Sequence, residues 1–179
     1  MADADDDSER FVTGQTALVV PVPEAEASVR VWRDRFDPAA RAGVPAHVTV
    51  LFPFLHASLV DDGTCAALDE VFGRHPSFDV RFEECGRFPG VLYLAPAPAA
   101  PFRRLTEAVV DRWPQAPPYG GKYDPHPHLT VAQGQDDAVL DEIESGLRPG
   151  LPFAARVPTV DLVVYGDTDW QHRASFALR

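Results

Sequence analysis

Apolar and polar positions alternate along this chain in short runs punctuated by glycine and proline, and their spacing predicts elements in a repeating order. A strand is expected over 16–23 (TALVVPVP), a helix over 24–36, a strand over 47–54, a helix over 63–75, and strands over 77–88 and 91–97. The pattern then begins again, with a helix over 101–113, a strand over 128–134, a helix over 137–147 and a strand pair formed by 153–166 and 170–179. Details recur as well. LVVPVP is echoed by LYLAPAP, a helix ending in DRF by one ending in DRW, SFDVRF by PFAARV, and PAHVTV by HPHLTV. Repeats that bury little hydrophobic surface alone pack on each other, so two similar lobes related by a pseudo-two-fold axis are expected, with repeat 1 spanning about 16–90 and repeat 2 about 91–179.

The echo PAHVTV/HPHLTV carries the chemistry. Residues at i and i+2 of a strand project from one face, so His47 and Thr49 share a surface, as do His128 and Thr130. A buried polar group usually just finds a hydrogen-bond partner, and that would account for one such pair. It does not account for the symmetry. With eight threonines and six histidines in 179 residues, chance supplies about 0.3 His-x-Thr pairs, and two are present at equivalent points of the repeat.

Composition narrows the partners. The 179 residues are 45% hydrophobic, enough for a sizeable core in a single bilobal domain over 16–179. The formal net charge is −11, and the first ten residues hold five acids and one arginine, so residues 1–15 read as an acidic, disordered tail. An acidic chain is a poor general binder of polyanions, which excludes an extended nucleic-acid surface and requires any phosphate to be caught locally. There is no basic segment followed by an apolar run and no stretch near the roughly 18 apolar residues of a membrane span, so a cytoplasmic protein without membrane contact is expected. Cys65 and Cys85 belong to no CxxC or Cys/His cluster and are expected as free thiols.

Two histidines facing each other across a cleft can serve as general base and general acid, since an imidazole pKa near 6.5 populates both protonation states at neutral pH. The threonine hydroxyls beside them can donate to a non-bridging phosphate oxygen. In-line displacement at phosphorus needs these parts.

In this paired motif, His47-Val48-Thr49-Val50 and His128-Leu129-Thr130-Val131, and in its duplicated layout from about residue 15 onward, the chain resembles the 2H phosphoesterase superfamily, also called the 2′-5′ RNA ligase family. The resemblance implies an α+β, bilobal fold of duplicated βαβαββ type, with two antiparallel sheets lining a central cleft and helices outside. It also implies metal-independent hydrolysis of 2′,3′-cyclic phosphates on RNA ends or nucleotides, without a cofactor. His47, Thr49, His128 and Thr130 would be the catalytic set, with His128 activating water and His47 protonating the leaving ribose oxygen. Alternatives are 2′-5′ RNA ligation, hydrolysis of an ADP-ribose cyclic phosphate, and a non-catalytic nucleotide-binding module. A pure binder, however, needs no acid/base pair. The expected partner is a small nucleotide or RNA end, and the expected state is a monomer.

Other residues are weaker candidates. The Gly/Pro-rich loop QAPPYGGKYDPHP carries Lys122, the single lysine, between Tyr119 and Tyr123; it reads as a flap in which Lys122 meets phosphate and Tyr123 stacks on a base. Phe52 and Phe54 are expected in the core, with Phe52 a candidate for stacking at the cleft mouth. His126 and His128 form an H-x-H, to which no metal site is assigned. His56, His75 and His172 read as ordinary surface or helix-end residues.

Overall fold

A computed structural model describes residues 11–179, so the expected tail lies outside the described residues up to residue 10. From Phe11 the chain is packed. The Phe11 ring sits 5.3 Å from Trp170 and 5.4 Å from Tyr165, and Gly14 N–H donates to the Tyr165 carbonyl at 2.9 Å.

The elements in chain order are β1 (Thr16–Pro21), α1 (Glu26–Phe36), α2 (Pro38–Arg41), β2 (His47–Leu51), α3 (Asp62–Gly73), β3 (Phe78–Phe88) and β4 (Val91–Ala97). They continue with α4 (Ala100–Arg112), β5 (Leu129–Ala132), α5 (Asp137–Leu147), β6 (Phe153–Val157), β7 (Thr159–Tyr165) and β8 (Trp170–Ala177). They build two four-stranded sheets, in orders β2-β1-β7-β8 and β5-β4-β3-β6, with antiparallel pairing throughout. The expected α+β fold with two antiparallel sheets is what forms.

Local chemistry explains most boundaries. Asp61 caps α3 by accepting from Thr64 N–H at 2.8 Å, and Asp136 caps α5 through Val139 N–H at 3.0 Å. The motif strands are shorter than expected, 47–51 against 47–54 and 129–132 against 128–134. Pro53 has no N–H for a ladder, and Gly134 turns the chain at φ 70°.

The apolar positions of both sheets merge into one core with the helices, among them Leu18, Val20, Val48 and Val50 from one sheet and Leu92, Leu94, Leu129 and Val131 from the other. On the opposite face of the first sheet, Ala17, Val19, Val163 and Trp170 form a smaller cluster with Phe52.

The sequence halves and the sheets do not coincide. β3, from the first half, pairs with β4 and β6 of the second; β7 and β8, from the end of the chain, extend the sheet of β1 and β2. The expected continuous strand over 153–166 is therefore two, separated at Pro158: β6 pairs with β3, and β7 crosses to pair with β1. SFDVRF and PFAARV are thus direct neighbours, Phe78 opposite Val157 and Phe82 opposite Phe153, rather than symmetry mates in separate lobes.

Candidate active site

β2 and β5 are edge strands of their respective sheets. They approach each other within 8 Å, Cα to Cα, so the two His-x-Thr motifs converge between the sheets. Period-two alternation does the aiming: Val48, Val50, Leu129 and Val131 are buried, while His47, Thr49, His128 and Thr130 are partly open on the other face. Register extends that face. Pro21 lies opposite His47 and Val19 opposite Thr49, and Tyr93 lies opposite Thr130.

Both imidazoles are held alike. His47 Nδ1 lies 2.8 Å from the Pro45 carbonyl, and His128 Nδ1 makes the same short contact with the carbonyl of His126, in each case two residues back. A carbonyl only accepts, so Nδ1–H must donate and Nε2 is left as the ring's free nitrogen. A neutral ring then offers a base there, and a protonated ring an acid.

Their surroundings differ. Burial lowers the His47 pKa to about 4, aided by the nearby Arg33 guanidinium and by the charge of His128. Arg33 is itself buried: its Nε donates to Asp37 Oδ2 at 3.0 Å and its Nη2 to the Val44 carbonyl at 3.1 Å. Burial pushes the Asp37 carboxyl up against the pull of Arg33. Glu26 Oε1 accepts from Ala46 N–H at 2.7 Å, so the entry to β2 is tied at several points. The His128 pKa is also lowered, chiefly by burial and then by the charge of His126. Its ring meets Phe88 edge-on at 5.2 Å and Tyr93 at 5.4 Å. Tyr93 lies flat over Gly86, where a Cβ would come within 2.4 Å of the tyrosine ring.

Beside Thr49 opens a cavity of about 240 Å³, running from β2 toward α4 and the 117–127 loop, with Phe52, Arg103, Glu107, Tyr119 and Asp124 among its lining residues. Tyr119 N–H donates to the Phe52 carbonyl at 2.7 Å, fastening the loop to the end of β2, and Tyr119 adopts φ 52° to do so. Phe52 packs on Trp170 with ring centroids 6.1 Å apart, while Phe54 is buried against Trp113 at 5.3 Å.

The weaker candidates divide. Lys122 and Tyr123 are exposed on the loop, outside the cavity lining, which takes Tyr119 and Asp124 instead. Among the described residues no three His, Cys, Asp or Glu side chains gather as a metal site requires. Cys65 and Cys85 are free thiols, and burial followed by Glu144 raises the Cys85 pKa to about 11. His56 is exposed and accepts from Ser58 N–H at 3.2 Å. Arg33, Phe88 and Tyr93 escaped the sequence reading. Arg33 sits at an apolar-face position of α1, which was the available signal, whereas Phe88 and Tyr93 read as ordinary strand aromatics.

Among solved structures, E. coli LigT complexed with 3′-AMP matches with a TM-score of 0.63 at 21% identity, covering 93% of this chain and 99% of that one. A phosphoesterase matches with a TM-score of 0.60 at 18% identity, over 93% and 99% of the two chains. TT0787 of Thermus thermophilus matches with a TM-score of 0.57 at 19% identity, over 92% and 98%. At these identities the likeness establishes the fold. No curated protein matches this sequence. The model of the 2′-5′ RNA ligase superfamily matches residues 21–169, most of the chain and both motif strands, and the chain belongs to that superfamily.

Proposed function

We propose that this protein is a metal-independent phosphodiesterase that opens 2′,3′-cyclic phosphates of nucleotides or RNA ends, with His47 and His128 as the acid/base pair. The observation that carries this reading is the mirrored hydrogen bonding of the two imidazoles, each donating Nδ1–H to the carbonyl two residues back and each left with a free Nε2. A base and an acid of like build on opposing strands suit an in-line displacement, in which nucleophile and leaving group lie on opposite sides of phosphorus.

In this mechanism Thr49 and Thr130 hydroxyls donate to the non-bridging oxygens. His128 Nε2 takes a proton from water as the water oxygen bonds to phosphorus. The ring P–O bond breaks, and His47 Nε2–H gives its proton to the departing ribose oxygen, leaving a phosphomonoester and a free hydroxyl. Arg33 works against a protonated His47 in the empty site; a phosphate anion between the rings favours their protonated forms and restores the acid. Crystal structures of LigT hold 3′-AMP, ATP and NADP+, which supports a small nucleotide as the ligand here. Lys122 and Tyr123, on the exposed loop, would meet the parts of the substrate that extend beyond the cavity.

The test is to incubate purified protein with 2′,3′-cyclic nucleotides, cyclic-phosphate-ended RNA and ADP-ribose cyclic phosphate in EDTA. A phosphomonoester should form at an undiminished rate. Activity that vanished with the chelator and returned with a divalent ion would overturn the metal-independent mechanism. A joined 2′-5′ product instead would identify a ribose hydroxyl, not water, as the nucleophile.

A further inference from the structure

The cavity beside Thr49 contains chemistry that the acid/base mechanism does not use. Arg103 and Glu107 lie four residues apart on α4 and line it together, and Asp124 faces it from the loop. Among the described residues none of these three side chains makes an ion pair or a side-chain hydrogen bond, so their polar groups stand available to a ligand. Phe52 and Tyr119 are the aromatic residues of its lining. Its volume of about 240 Å³ lies below the roughly 300–1,000 Å³ of drug-sized sites and suits one base rather than a length of strand.

We propose that this cavity is a nucleobase subsite that selects guanine. The inference rests on the phosphodiesterase reading, because the phosphate held at Thr49 is what brings a base to the cavity mouth. A 2′,3′-cyclic phosphate is carried on the ribose, one sugar ring from the base, so the base falls next to the threonines. Glu107 and Asp124 put two carboxylates against one guanidinium in the lining and so disfavour a phosphate inside the cavity, which orients the nucleotide with its base toward α4.

The edge chemistry then distinguishes the bases. Side chains at i and i+4 of a helix stand about 5–6 Å apart at Cβ, so Arg103 and Glu107 present donors and an acceptor-only carboxylate side by side. Guanine shows O6, N1–H and N2–H in a row. The carboxylate takes both N–H groups, and the guanidinium takes O6. Adenine sets one amine beside the N1 lone pair, which faces a carboxylate unfavourably. Uracil flanks one donor with two acceptors. Cytosine offers a single amine, whereas two carboxylates against one guanidinium favour the base with two donors. The aromatic residues contribute stacking that is indifferent to base identity.

Steady-state kinetics with the four 2′,3′-cyclic mononucleotides test this, together with calorimetric binding of 3′-GMP and 3′-AMP as probes that need no turnover. The guanine substrate should show kcat/KM at least about tenfold above adenine, expressed mainly in KM, as expected for one bidentate base contact. Glu107→Gln, on an exposed helix face, should collapse the guanine-to-adenine ratio in both assays. Equal turnover and equal binding of all bases, or a preference for adenine or a pyrimidine, would overturn the guanine subsite and leave the phosphodiesterase standing. Tighter binding of 3′-GMP with no hydrolysis of any cyclic nucleotide would support the subsite and remove the phosphodiesterase.

Discussion

The two motif strands are built alike and surrounded differently. In each, a histidine donates Nδ1–H to the carbonyl two residues back, and a threonine follows on the same face. Behind His47, however, stands the buried Arg33–Asp37 pair, with side chains only 3% and 2% exposed, whereas His128 is packed against the paired rings of Phe88 and Tyr93. The backbone repeat thus sets where the nitrogens point, and the unrepeated side chains around it set how readily each ring holds a proton. A duplicated scaffold can surround two identical groups differently in this way.

The comparison breaks most completely if the rings are removed. His47→Ala and His128→Ala should each lower kcat by at least ~10²–10⁴-fold, and the double variant should be little worse than the worse single one, because acid and base act as a unit. Single-turnover rates of the three proteins check this. A folded His128→Ala with near-normal turnover would reduce both histidines to structural groups.

Removing Arg33 tests the asymmetry itself. Arg33→Met leaves Asp37 buried and uncompensated, and urea unfolding should show a loss of about 3–5 kcal/mol. A loss below about 1 kcal/mol would mean that the pair does not brace the entry to β2.

Thr49→Val and Thr130→Val keep the shape and remove one donor each, so kcat should fall by roughly 10²–10³-fold at most, by analogy with a lost oxyanion donor. If either variant lost as much as the histidine variants, the threonine would have to take part in proton transfer.

The smallest effect is on pH dependence. The base must be neutral, so activity rises as pH climbs through its pKa; the acid must be protonated, so activity falls as pH climbs through its own. Both rings are held below 6.5, His47 at about 4, so both flanks of the kcat/KM profile belong on the acid side of 6.5. The kcat profile should lie to the alkaline side of it, since bound phosphate raises both values. An optimum in kcat/KM above pH 7 would contradict the depressed values.

Much of this protein was determined locally and is therefore written in the sequence. Period-two alternation around His47 and His128 placed imidazole and hydroxyl on one face, and the caps Asp61 and Asp136 sit where helices were expected, because these depend on neighbours within a few residues. The repetition of His-x-Thr at matching points announced a paired site. Tertiary structure decided which strands share a sheet. Pro158, with no N–H for a ladder, marks a break in VPTV, but nothing local reveals that the chain leaves one sheet at Val157 and joins the other at Thr159, since the partners of β6 and β7 are distant in sequence. The same holds for the environment of each histidine. Arg33 lies 14 residues before His47, and Tyr93 lies 35 before His128. Only packing brings a guanidinium to one ring and an aromatic wall to the other, because burial and Coulomb interaction depend on distance in space and not along the chain.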